Sequence, residues 1–318
     1  MLAHQHADST KPSYATKWTA FMSFCQVSGY SHLPTTPEVV ACYIGDLYER
    51  GTIAPGTLQS YLTPINAVHS IFQMDKPAVG LMLMAVRHGF ARLYANHQGG
   101  LRNKRVPLPA AALTQMVALA LTTTDPGLRR RVAGLTLTAL TFSRPGGGAN
   151  LRRKDVTLTP ALMRIQIPDY KHGARHNRER LNIRIPWRAA GLQDPAWDLV
   201  HQHITAMRLA TADPDQPLFT TVGDVTPLPT GVATVWMREC LYLLNINPPD
   251  GCVYSGYSLR GCAATSARSI GYELDLIATL MGMKDKDTTS VSANYVDALA
   301  QPDVHTQALY DRYRVDRR

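Results

Sequence analysis

The sequence predicts a mainly helical protein of two domains with one small antiparallel β-sheet. Three observations carry this. The chain has 318 residues, 45% of them apolar, enough for two separate cores. Residues 10–95 place apolar side chains at helical spacing throughout. Only two later segments, ALMRIQIPDY and LNIRIP, alternate apolar and polar residues as half-buried strands do. The expected boundaries are a helical domain over 1–98, a basic linker over 99–108 and a second domain over 109–318.

The elements follow in order. SYATKWTAFMSFCQVSG spaces Tyr14, Trp18, Phe21, Met22 and Cys25 on one helix, with Gly29 as its stop. In TTPEVVACYIGDLYERG, Thr36 suits an N-cap, Pro37 the first turn and Gly51 the end. APGTLQSYLTPINAVHSIFQM is a third helix and KPAVGLMLMAVRHGFARLYA a fourth, whose methionines are expected to fill core. The linker is loosened by Gly99 and Gly100, and Pro107 and Pro109 stop helix propagation. Helices are expected near 110–122 and 127–141, then a glycine-rich turn, SRPGGGANL. The two strands point Met163, Ile165, Ile167, Leu181, Ile183 and Ile185 inward and Arg164, Gln166, Asn182 and Arg184 outward, joined by KHGARHNRER. From about 190 the chain is helical again.

The net charge of +9 is unevenly spread. Residues 101–190 hold 17 Lys/Arg against 4 Asp/Glu, whereas 191–318 hold 10 against 15. Such concentration in a folded segment favours a polyanionic partner, most simply nucleic-acid phosphate. No apolar run approaches the roughly 20 residues of a membrane span, and the first residues lack the pattern of a secretory signal. Five scattered cysteines without a CxxC pair read as free thiols in a reducing compartment. RPGGGAN lacks the Gly-Lys-Ser/Thr end of a P-loop, GYSLRG is not a hydrolase elbow, and the His pairs lack zinc-site spacing.

One arginine stands out. In YSLRGCAAT, Arg260 sits among small and apolar residues near a helix start, where a guanidinium needs an anionic partner. Arg144 closes the 127–141 helix, with Leu151 and then Asp155-Val156 at set intervals after it. Lys171 ends a strand, and Tyr295 lies in SANYVDAL, 13 residues after Gly282. In this order the sequence resembles the tyrosine recombinases, the phage-integrase family that breaks and rejoins DNA. That family carries an Arg followed by Leu and Asp-Val, a hairpin Lys, His-x-x-Arg opening a helix, Gly-His or Gly-Trp, and a nucleophilic Tyr.

The resemblance implies a helical core-binding (SAM-like) domain followed by an α+β catalytic domain, clamping double-stranded DNA. Arg144 and Arg260 are then expected to hold the scissile phosphate. Tyr295 is expected to attack phosphorus, giving a 3′-phosphotyrosyl link. Lys171 is expected to protonate the leaving 5′-oxygen, with His172 as a substitute. Tyr310 and Tyr313 compete as nucleophiles but lie 28 and 31 residues past Gly282. Arg102, Lys104, Arg105, Arg152, Arg153, Lys154, His172, Arg175, Arg178 and Arg180 are the candidate DNA contacts. No metal or cofactor is implied, nor any membrane. A homotetramer acting through a Holliday junction is, and TQALYDRYRVDRR is a candidate for docking on a neighbouring protomer. Localisation is expected to be intracellular and DNA-associated. Three positions depart from the family pattern: Tyr257 replaces His, Met283 replaces His or Trp, and Gly147 replaces an acid. They motivate an alternative, a recombinase-derived DNA-binding protein with impaired catalysis.

Overall fold

A computed structural model describes residues 11–97, 104–167, 181–187, 193–210, 213–220, 228–229, 231–283, 287–297 and 299–313. The chain separates into two compact units, Met1–Leu101 and Arg102–Arg318. The fold class is as the sequence predicts: mostly helical, with a small antiparallel sheet.

Four helices form the first unit: α1 (Lys11–Ser28), α2 (Pro37–Glu49), α3 (Pro55–Ile71) and α4 (Leu81–His97). Thr36 caps α2, its hydroxyl accepting from the Val39 N–H at 3.4 Å, and Pro37 opens the helix. The core centres on aromatic rings, with Tyr43 5.1 Å from both Phe21 and Phe24. The methionines of α4 do not fill this core. Leu83 and Phe90 are buried, while Met82 and Met84 are 41% and 50% exposed. A seven-residue interval returns a side chain to the same helix face, so the positions flanking Leu83 point away from it.

The second unit begins with residues expected in the linker. Lys104–Arg105 form β1, paired in parallel with β5 (Cys252–Val253). Neither strand is visible in sequence, because two residues bounded by charge and proline carry no alternation. Helices α5 (Ala110–Thr122), α6 (Pro126–Leu140), α8 (Pro195–Ala210), α9 (Val232–Leu243) and α10 (Gly256–Ser269) surround one core. Between α6 and α8 run the short α7 (Pro145–Ala149) and a three-stranded sheet. Its order is β2 (Val156–Leu158), β3 (Leu162–Ile167), β4 (Leu181–Pro186), all antiparallel. Met163, Ile165, Ile167, Ile183 and Ile185 are buried in the same core as the helices. The glycine-rich turn is thus partly helical, and β2 was too short to be read from its pattern.

The chain then continues through α11 (Leu274–Leu280), α12 (Thr288–Tyr295) and α13 (Val304–Tyr310). α13, which carries the start of the candidate docking tail, packs on α5 and α10 of its own unit, and residues 314–318 lie outside the described residues. Tyr310 is fully buried, its hydroxyl 3.9 Å from Cys262 Sγ, and the Tyr313 hydroxyl donates to the Leu140 carbonyl. Arg312 grips Asp194 with both terminal nitrogens, at 2.6 and 2.8 Å, and both side chains are almost wholly buried. Among the described residues, no helix is long and apolar enough to cross a membrane. Breaking a buried pair strands one charge in the core. Asp194→Asn is therefore expected to cost about 3–5 kcal/mol in the denaturant unfolding of the second unit.

Candidate active site

The site is assembled where three helix ends meet. At the end of α6, Phe142 adopts a left-handed conformation (φ 53°), which reverses the chain and aims its carbonyl across to α10. Arg144 follows as the N-cap of α7, its carbonyl accepting from the Gly147 N–H at 2.8 Å. Pro145, at the first turn, lies against Gly256, the first residue of α10. A Cβ on Gly256 would stand 2.7 Å from Pro145 Cγ, so only glycine allows this approach. That contact brings the Arg144 and Arg260 ends of the two helices together.

Arg260 is 1% exposed. Its Nη1 donates to the Phe142 carbonyl at 2.9 Å and its Nη2 to the Met281 carbonyl at 2.8 Å, while Nε has no partner. The guanidinium carbon lies 5.2 Å from the centre of the Tyr295 ring. Burial, then the positive charge of Arg144, push this guanidinium down to about 10, opposed by the phenols of Tyr295 and Tyr257. It remains charged at neutral pH. Among the described residues, no carboxylate ion-pairs with Arg260 or with Arg144, and Arg144 is half-buried. Two neighbouring cations, one of them against a phenol, therefore have no ion-paired carboxylate among the described residues.

Tyr257 stands 42% exposed on the first turn of α10, with the Arg105 guanidinium 5.8 Å from its ring centre. Arg105 reaches it because Gly261 has no side chain to hold off Pro107 and the Leu108 N–H donates to the Ser258 carbonyl at 3.0 Å. A cleft of about 380 Å³ opens here, lined by Lys104, Arg105, Tyr257, Asn294 and Tyr295 among others. Met283 lies outside that lining. Its N–H closes the end of α11 on the Ala278 carbonyl at 2.9 Å, next to left-handed Gly282, and its side chain packs on the core.

The other expected residues fare differently. Tyr310 and Tyr313 are buried packing residues whose hydroxyls are pushed upward by desolvation. Arg152 and Lys154 both bind Asp215, Arg152 at 2.8 Å, and Arg153 Nε donates to the Asp213 carbonyl at 3.1 Å. The two cations hold the Asp215 carboxyl below its ordinary range. Arg152 and Lys154 thus share one carboxylate, which offsets part of the charge of this basic run. Lys171, with Arg102, His172, Arg175, Arg178 and Arg180, lies outside the described residues. The partners of Arg260 escaped the sequence reading altogether, because backbone carbonyls carry no residue signature.

No protein-family model matches the chain. Over 68 residues it is 41% identical to an integrase/recombinase xerD homolog of Selenomonas ruminantium, a match covering 21% of this chain and 19% of that relative's length. Among solved structures, XerH recombinase in its pre-cleavage complex with difH superposes with a TM-score of 0.59 at 13% identity, covering 88% of this chain and 74% of that one. A lambda integrase dimer bound to a COC′ core site gives 0.58 at 11% identity, covering 94% of each. The Tn1549 transposon integrase with circular intermediate DNA gives 0.54 at 13% identity, covering 89% and 84%.

The fold is that of the tyrosine recombinases.

Within the recombinase fold, the close approach at Gly256 bears most directly on the Arg144–Arg260 pairing. Gly256→Ala forces Pro145 away and is expected to cost about 1–3 kcal/mol, read as a lower melting temperature, despite alanine's better helix propensity.

Proposed function

We propose that this chain is a DNA strand-cleaving and rejoining enzyme of the tyrosine recombinase kind. The observation that carries the reading is Arg260: a buried guanidinium, beside Arg144 and against Tyr295, that no carboxylate of the described chain neutralises. A phosphodiester is an anion suited to that vacancy of charge, and forked hydrogen bonds from two guanidiniums match its oxygens.

In this reading the Tyr295 phenol oxygen bonds to phosphorus, its proton passing to water, as the bond from phosphorus to the 5′-oxygen breaks. Arg144 and Arg260 stabilise the charge that gathers on the non-bridging oxygens. Lys171 delivers a proton to the departing 5′-oxygen. The 3′-phosphotyrosyl link conserves the bond energy, so the reverse attack by a 5′-hydroxyl reseals DNA without ATP. Lys104 and Arg105, on the rim of the cleft, contact neighbouring phosphates, joined by Arg102, His172, Arg175, Arg178 and Arg180. The first unit serves as the core-binding domain and the second as the catalytic one. The neighbouring folds were solved on DNA, one as a lambda integrase tetramer on a Holliday junction, which supports exchange by a homotetramer here too.

A second reading keeps DNA binding without cleavage. Its support is local: a phenol at 257 is a poor proton acceptor at neutral pH, Met283 cannot donate to phosphate, and Gly147 has no carboxylate. A pool of nicked duplexes, randomised over the cleavage step, separates the two. The wild-type chain is expected to form a covalent protein–DNA adduct on denaturing gels that Tyr295→Phe abolishes. Arg260→Ala should reduce its rate on the order of 100-fold or more. Retarded DNA with no adduct from wild type would establish the second reading instead.

A further inference from the structure

We infer that Thr265 is a positioning residue for Tyr295, an assignment that rests on the proposed role of that tyrosine as nucleophile. The helix that carries Tyr295 has little to hold it in place. α12 is eight residues long, TTSVSANY, and is rich in Ser, Thr and Asn, which compete with their own backbone for hydrogen bonds. Its one buried side chain is Val291. The N-terminus is secured by Asp287, which accepts from the Ser290 N–H at 2.9 Å. Tyr295 is the last helical residue, where fraying is greatest.

Thr265 secures that end. Its hydroxyl donates to the Tyr295 carbonyl at 3.0 Å and accepts from the Asp297 N–H at 3.0 Å. One side chain thus satisfies an orphan carbonyl and the second amide beyond the helix, pinning the backbone on both sides of Val296. Thr265 belongs to α10, the helix of Arg260. The same rigid element therefore fixes the tyrosine twice, its ring by Arg260 at 5.2 Å and its backbone by Thr265. Thr265 touches no reacting atom. It sets the distance and direction from which the phenol oxygen meets a phosphorus held by the guanidinium five residues earlier.

The test compares Thr265→Val, which keeps the shape and removes the hydroxyl, with Thr265→Ser, which keeps the hydroxyl. Thr265→Ala serves where valine fails to fold. With the nicked duplex that wild type selects, valine or alanine is expected to slow adduct formation on the order of 10- to 100-fold at unchanged DNA affinity, and serine to restore it. Hydrogen exchange read by mass spectrometry is expected to show the Asp297 amide losing protection in the valine or alanine variant but not in serine. Wild-type adduct rates in the hydroxyl-free variants, or unchanged Asp297 protection, overturn the inference, as does a serine variant as slow as valine. Lost protection together with no adduct from wild type overturns the recombinase reading and upholds the hold of Thr265 on residues 295–297.

Discussion

The second unit is organised around a charge it cannot discard. Arg260 is almost wholly buried, and the effective penalty for burying such an ion is several kcal/mol. Among the described residues, its hydrogen-bond partners are two backbone carbonyls rather than a carboxylate. Each charge-assisted bond returns about 1.5–3 kcal/mol, so the ion is tolerated but not neutralised. Aiming those carbonyls needs two irregular chain reversals. One is the left-handed turn at Phe142 that ends α6, and the other is the turn through Met281 and Gly282 that ends α11. Arg260 therefore ties three helices together, with no ion-paired carboxylate among the described residues at their junction.

The departures from the family pattern look different once packed. Tyr257 is not an isolated phenol at the mouth of the cleft, because Arg105 lies over its ring. Positive charge at this corner comes from the extended segment before α5 rather than from the side chain at 257. Met283 completes a helix end and packs on the core, so its contribution is to shape. A Cβ at Gly147 would meet Ile167 and Ser143 at ordinary contact distance, so glycine is not required there by space, and position 147 itself supplies no carboxylate.

The distribution of charge along the chain also changes meaning on folding. In sequence, the basic block at 101–190 is a concentration of cations favouring a polyanionic partner, with most acidic residues lying later in the chain. In the fold the 213–218 segment lies alongside 151–154, with the Leu218 N–H donating to the Leu151 carbonyl at 2.8 Å, and Asp215 meets Arg152 and Lys154. These pairs are exposed, so they contribute little to stability. What they alter is the local field, lowering it there and leaving Lys104 and Arg105 as described cations on the rim of the Tyr295 cleft.

Periodicity along the chain was enough for the four helices of the first unit, for α5 and α6 and for the β3–β4 pair, since each contains several repeats of its own spacing. The order of Arg144, Arg260 and Tyr295 was legible because residue type and interval are properties of the chain alone. What folding alone decided were the features without a local signature. The strands at 104–105, 156–158 and 252–253 are too short to show alternation. The carbonyls that hold Arg260 belong to no particular residue type. The burial of Tyr310 and Tyr313 depends on α13 finding α5 and α10 far earlier in the chain. A linear pattern records which side chains are available. Which of them meet, and which charges find a carboxylate, follows from contacts between segments well separated along the chain.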